Sequence, residues 1–377
     1  VSEWGHLAEL QPITTPEEGR RYVARVRQIP GAIRAEIDLL ADGFVARRVT
    51  TAESARRVKA MIDGELARPL PEWPLLAPAA AAHPDWPKDQ LDAFRAELGA
   101  AVAEVRPALV EFGRFIDDVL ADGVRGEGES GVVNLPDGLP CYRSQIRVYT
   151  SLSRSPKEIH AIGLAEVARI NKEMQVLGKR LFGSDDLAAI LRRLREDRSL
   201  YFDTPAEILG AAEAGLQAAR AKIPDYFGIL PKAPCEVREI PDYEAPFTHI
   251  GYYRHPIPGG VKPGEYFVNT YRPETRPRFE ARVLAIHESI PGHHLQLAIA
   301  QELPATPAFR KHAEQNVFVE GWALYTEDLA EEMGLYESDL DRMGKLSFAA
   351  WRASRLVVDT GIHAFGWSRA EGERFMA

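Results

Sequence analysis

Cysteine is nearly absent from this sequence: Cys141 and Cys235 are the only two among 377 residues. Two thiols cannot build a dense disulfide framework or a four-cysteine zinc site. Both are expected to be reduced structural residues, with one disulfide open to an exported form. Long apolar runs are missing too. No stretch approaches the roughly 18 apolar residues of a membrane-spanning helix, and the most apolar one, "PLLAPAAAAHP", is short and bounded by prolines. Positive charge is not in excess either. A formal net charge of −9 argues against a nucleic-acid partner, because phosphate binding needs a basic footprint. The chain opens at Val1 rather than methionine, so a preceding segment is expected. A cytoplasmic location is favoured, with export left open.

What is there is ordinary globular composition, 45% hydrophobic and 27% charged, in a chain long enough for one large domain or two average ones. Most of it reads as helix. "SPKEIHAIGLAEVARINKEMQVLGKRLFG" places Ser155 as N-cap, Pro156 in the first turn and Glu158 to complete a capping box. "TPAEILGAAEAGLQAARAKIPDYFG" repeats that grammar with Thr204, Pro205 and Glu207, ending at Pro224. Residues 16–66 and 88–122 have helical periodicity, with a break expected at Pro30 and Gly31. The glycine-rich stretch 121–142 reads as a loop, which divides an N-terminal helical region, 1–125, from a larger region, 126–377. "CEVREI", "GYYRH" and "EYFVNT" are β-prone runs separated by Pro-Gly turns, and predict a small antiparallel sheet.

The chemistry concentrates just after those strands. Six of the ten histidines lie between 249 and 312, and "LAIHESIPGHHLQLAIAQE" holds three of them close together. A zinc-binding helix of the H-E-x-x-H kind sets its two histidines one turn apart, with the glutamate as general base. His287 and Glu288 match its first half. Pro291 then interrupts the helix, and Gly292 eases a bulge. His294 lies on nearly the same face two turns on. His293 fits if the bulge absorbs two residues. Both remain candidate ligands. A two-histidine site usually takes a carboxylate as third ligand. "NVFVEGWALYTEDLAEEMG" offers Glu320, flanked by apolar residues, with Glu327 on the same face as a partner for a ligand.

"HESIPGHHLQ", "VEGWALYTE" and "RLVVDTGIHAFGWSR", in that order, resemble the DUF885 family of bacterial proteins, grouped with the gluzincin metallopeptidases. The resemblance extends to "CYRSQIRVYTSLSRSPKEIHAIGLAEVARINKEM" and "PDYFGILPKAPCEVREIPDY", and more faintly to the N-terminal helices. It implies that H-E-x-x-P-G-H-H is a rearranged motif. It also implies a mainly α, zincin-like fold, a Zn²⁺ cofactor and hydrolysis of peptides. Glu320 falls where gluzincins carry a glutamate ligand on the following helix. Family members continue past "GWSR" with a segment of the P-G-Q-A-x-x-Y-x-x-G kind, which this chain does not contain.

A zinc ion held there would polarise the scissile carbonyl and activate water, while Glu288 moves the proton to the leaving amine. His363 is the first candidate for a second electrophile at the oxyanion, ahead of Tyr252, Tyr253 and Tyr266. Tyr266, Asn269 and Arg355 are candidate substrate contacts: "EYFVNT" could pair with an extended peptide, and Arg352, Arg355 and Asp359 recur at helical spacing. The rival expectations are a hydrolase of a non-peptide amide and a helical binding protein with a degenerate site. The intact Glu288 argues against the latter. Oligomeric state is not legible.

Overall fold

The computed structural model describes residues 7–11, 13–257, 262–311, 313 and 315–377. It is mainly helical, with one three-stranded sheet. The chain forms two units, Val1–Pro140 with Ile362–Arg374, and Cys141–Gly361 with Phe375–Ala377. No helix among the described residues is long and apolar enough to cross a membrane.

The first unit is built on α1 (Pro16–Val26), α2 (Ile29–Val45), α3 (Ala52–Ala67) and α4 (Lys88–Asp122). Thr15 starts α1 with a capping box: its hydroxyl accepts the Glu18 N–H at 3.3 Å, and Glu18 Oε2 accepts the Thr15 N–H at 2.9 Å. The break expected at Pro30 and Gly31 falls earlier, at Arg27 and Gln28. Pro30 lies in the first turn of α2, where its missing N–H has no helical partner to lose. Tyr22, Val26, Ile33, Ile62, Leu98 and Val102 are at most 1% exposed and form the centre of this unit. Each such aliphatic side chain stabilises the fold by about 1.5–3 kcal/mol relative to exposure.

The second unit takes up α5 (Gly138–Thr150) from Cys141 and continues through α6 (Pro156–Phe182), α7 (Leu187–Glu196) and α8 (Pro205–Lys222). The caps read from the sequence are present: Ser155 and Glu158 form a reciprocal box, and the Thr204 hydroxyl accepts the Glu207 N–H. Gly183 ends α6 in the left-handed conformation at φ 71°, as helix C-termini favour.

Three strands follow, β1 (Cys235–Glu239), β2 (Gly251–Arg254) and β3 (Gly264–Val268), in the order β1-β3-β2. The sheet is mixed, not antiparallel as expected: β1 runs parallel to β3, and only β2 and β3 are antiparallel. The segment between β1 and β2 is long enough to carry the chain across, so β1 does not have to pair as a hairpin with its sequence neighbour. The turn expected at 258–261 lies outside the described residues.

Beside the sheet lie α9 (Ala281–Glu288), α10 (His293–Glu302), α11 (Asn316–Glu332) and α12 (Asp339–Phe365), the last residues of which count with the first unit. A short helix, α13 (Arg369–Met376), completes the chain. Val283, Leu284, Ala285 and Ile286 are all buried, so α9 is apolar on every side and runs through the core. That core, shared with Tyr266, Val268, Leu216 and Leu295, fixes the helix that carries His287.

Candidate metal centre

The helix ending at Glu288 and the helix beginning at His293 are joined by a tight, wide turn. The Gly292 N–H donates to Ile286 O at 3.1 Å, and the His294 N–H to Ser289 O at 2.9 Å. A Cβ on Gly292 would lie 1.9 Å from His287 O, so only glycine fits. The turn is held from α11, where Trp322 Nε1 donates to Pro291 O at 2.9 Å. Gln296 Nε2 also reaches Phe318 O at 3.0 Å. The two sequence motifs are thus tied together by main-chain acceptors.

Inside this frame the side chains of His287, His293 and Glu320 converge, each offering one ligand atom within 4.8 Å of the others. His287 Nε2 is 3.5 Å from Glu320 Oε2, and His293 Nε2 is 3.8 Å from Glu320 Oε1. Glu288 lies alongside, with Oε2 3.9 Å from His293 Nε2. The other nitrogen of His287 is 2.7 Å from Oε1 of the buried Glu327. Arg352 on α12 reaches both oxygens of Glu327, at 2.9 Å and 2.8 Å. Tyr336 fixes the same residue's backbone, its hydroxyl donating to Glu327 O at 2.9 Å.

Three carboxyl groups, Glu288, Glu320 and Glu327, face the Arg352 guanidinium and the imidazoles of His287 and His293. Burial works against a charge on His287, but hydrogen bonds to Glu320 and Glu327 outweigh it and raise the imidazole to about 9. The hydrogen bond from His287 holds Glu320 below the usual carboxylate range. Burial raises Glu288 to about 7, and lowers His293 to about 4. Two imidazoles and a carboxylate form a donor set that fits a divalent cation such as zinc. His293 Nδ1 is buried and has no hydrogen-bond partner among the described residues.

Several expected site residues stand elsewhere. His294 is not part of the cluster: its Nε2 faces Ala233 O at 3.1 Å, and its Nδ1 faces the Tyr253 hydroxyl at 2.8 Å. A carbonyl can only accept, so Nε2 carries the proton and the Tyr253 hydroxyl donates to Nδ1. Gly264 makes room for this pair, since a Cβ there would lie 2.4 Å from both groups. Tyr253 therefore has its proton committed to His294. Tyr252 stacks on Phe267, with centroids 4.9 Å apart, and donates to Glu244.

Tyr266 is fully buried in the core, not at a substrate surface. Asn269 is 1% exposed and satisfied from within: it donates to Ala245 O and His249 O and accepts the Tyr271 N–H. It braces the loop beside the sheet with both amide hydrogens and its oxygen. Arg355 is exposed and lies over the Trp351 ring, while Arg352 is the arginine that reaches the cluster. Asp359 accepts the Tyr142 hydroxyl. His363 belongs to the first unit, where its Nδ1 accepts the Val132 N–H at 3.2 Å and the residue lines a cavity of about 480 Å³. Glu320 was expected in an apolar setting, yet its side chain is 61% exposed, because the first turns of α11 around Val317 and Phe318 face solvent. His312 lies outside the described residues.

Fold and site together define a mainly helical protein with a histidine–glutamate cluster assembled from three helices. The chain belongs to the DUF885 family, described as "Bacterial protein of unknown function (DUF885)", whose match runs over residues 1–377. A crystal structure described as "the putative lipoprotein from Colwellia psychrerythraea" is similar, with a TM-score of 0.91 and 26% identity over the whole of this chain. The chain spans 66% of the length of that protein. A structure described as "a putative lipoprotein of unknown function from Shewanella oneidensis" shares the fold at a TM-score of 0.63 and 17% identity, covering 100% of this chain and 70% of that one. No curated protein matches the chain.

Proposed function

We propose that this chain is a zinc-dependent hydrolase of the gluzincin type that cleaves peptide bonds in oligopeptides. The observation that carries the reading is the convergence of His287, His293 and Glu320, with ligand atoms within 4.8 Å, beside the buried carboxylate of Glu288. Zinc held by these three residues would supply Lewis-acid activation of water and of the scissile carbonyl. Glu288, raised by burial to about 7, is suited to take a proton from water and return it to a leaving amine near neutral pH. Glu327 orients His287 from behind, the arrangement by which metal-binding histidines are usually held. The zincin-like classification rests on the resemblance of the motifs. The description of the Colwellia relative as a "putative lipoprotein" supports an exported setting rather than the cytoplasm.

Elemental analysis of the purified chain tests the metal, with about one zinc per chain expected. A pool of short unstructured peptides read by mass spectrometry tests the reaction. A chain that takes up no divalent metal would overturn the proposal. A metal-loaded chain that cleaves no peptide but hydrolyses other amides would redirect it to a different substrate class.

A further inference from the structure

We infer that Arg352 is a positioning residue that, through Glu327, selects the tautomer of His287, leaving the Nε2 lone pair directed into the ligand cluster. This rests on the metal-centre reading above, and adds to it a residue outside the three candidate ligands.

Two groups compete for Nδ1 of His287. Glu327 Oε1 is 2.7 Å away and Arg352 Nη2 is 3.1 Å away. A guanidinium can only donate, and an ionised carboxylate can only accept. Nδ1 can satisfy one of them. With a lone pair at Nδ1, Arg352 would be served, but two acceptors would face each other at 2.7 Å with no proton between. Nε2 would then carry the hydrogen and could not bind a metal. With a hydrogen at Nδ1, the short contact becomes a charge-assisted hydrogen bond, and Nε2, whose own contact with Glu320 Oε2 is longer at 3.5 Å, gives up the weaker bond and is free to ligate.

Arg352 makes the second arrangement complete. Its two terminal nitrogens already have acceptors, Nη1 on Glu327 Oε2 and Nη2 on Glu327 Oε1. This forked contact fixes the plane of the carboxylate as well as its position. The guanidinium is itself held over the Phe348 ring, 5.1 Å from its centroid. With the hydrogen on Nδ1 the shortest contact of the set, 2.7 Å, carries a proton, and the Nη2 atom that would otherwise donate to Nδ1 keeps Glu327 Oε1 as an acceptor. Among the described residues nothing comparable anchors His293, whose Nδ1 is buried and meets no hydrogen-bond partner there. The two imidazoles are unequal, and the network fixes only the first.

The test uses the full chain stripped of metal and titrated with zinc against a chromophoric chelator. Wild type is compared with Arg352→Met, Arg352→Lys and Glu327→Gln. Arg352→Met should weaken zinc binding about 10–100-fold. Arg352→Lys should fall between it and wild type, because a point charge keeps the attraction but not the fork. Glu327→Gln should weaken zinc despite its matching shape, because its amide can donate to Nδ1.

A second readout is the nitrogen spectrum of histidine-labelled, metal-free protein, recorded above the imidazole's pKa of about 9, with a His287→Asn sample to identify the resonance. Wild type should show the Nδ1–H form, and Glu327→Gln a shift toward Nε2–H, which lost packing alone would not produce. An Nε2–H form in wild type, or wild-type zinc affinity in Arg352→Met, would overturn the inference. Should wild type bind no zinc, the metal-centre reading fails, and the spectrum still decides the tautomer. If Arg352→Met does not fold, Arg352→Lys and Glu327→Gln carry the comparison.

Discussion

The imidazole rings of His287 and His293 meet edge to face, with centroids 4.7 Å apart and planes at 80°. A proline and a glycine lie between them in the sequence, and the turn they form replaces the single helical turn of H-E-x-x-H. The ring-to-ring contact depends on Gly292, whose missing side chain lets the turn lie against His287 O.

Gly292→Ala should therefore damage the site and the fold together. Its methyl would meet main-chain oxygens of Ile286 and His287 at 2.5 Å and 1.9 Å, and backbone cannot yield as a side chain can. A loss of about 3 kcal/mol is expected, the upper end for overpacking, together with loss of zinc. Chemical denaturation and metal analysis of one preparation check both. A stable, zinc-loaded variant would mean that the turn is not as tight as described.

His293 and His294 are neighbours in sequence with opposite surroundings, and their alanine variants should part. His293→Ala should lose zinc with little change in stability. His294→Ala should retain zinc but leave Tyr253 and Ala233 O without a buried partner, at about 1–3 kcal/mol. Metal content and denaturation midpoints separate the two, and zinc loss in His294→Ala alone would reverse the assignment.

Asn269 tests how a polar residue beside the sheet is used. Its amide holds Ala245 O, His249 O and the Tyr271 N–H, so Asn269→Ala should lower stability by about 2–3 kcal/mol, the cost of stranding buried polar groups. KM for a cleaved peptide should stay near wild type. A raised KM at unchanged stability would restore it as a substrate contact.

These residues also mark where the sequence is legible. Helix caps are local, so Ser155 with Glu158 and Thr204 with Glu207 could be placed from spacing alone. The H-E pair and the glutamate on the next helix are likewise local signatures, each on its own element. Deciding between His293 and His294 requires the path of the turn, which depends on Trp322 and on contacts with the core. Sheet direction was misjudged because strand propensity says nothing of pairing, and β1 reaches β3 by a crossover. Arg352 rather than Arg355 meets Glu327 through the packing of α12 on α11, which helical spacing along α12 alone does not reveal. Asn269 and Tyr266 lie inside for a reason the sequence does not carry: polar and aromatic residues at a strand end look alike whether they face a substrate or the interior.

Glu320 is the exposed member of the cluster, and its loss should cost the metal rather than the fold. Its side chain is 61% exposed and lies 3.5 Å from His287 Nε2 and 3.8 Å from His293 Nε2. Glu320→Ala is thus expected to bind little or no zinc while unfolding within about 0.5 kcal/mol of wild-type apo protein, as surface substitutions do. Unchanged zinc content would remove Glu320 from the ligand set.

Glu288→Gln separates binding from chemistry. The glutamine fills the same buried volume beside His293 but cannot take a proton from water, whereas the native carboxyl, raised to about 7 by burial, can exchange one near neutral pH. Zinc content should stay near one per chain, and peptide hydrolysis should fall by about 10²–10⁴-fold, the usual worth of general-base assistance. On the acid side the wild-type rate should decline as the carboxyl becomes protonated and ceases to act as a base, while the variant's residual rate should lack that limb. Parallel pH–rate profiles on one peptide, with metal measured at each pH, make the comparison. Equal rates in the two proteins would locate the chemistry elsewhere, and the hydrolase proposal for this site would fall.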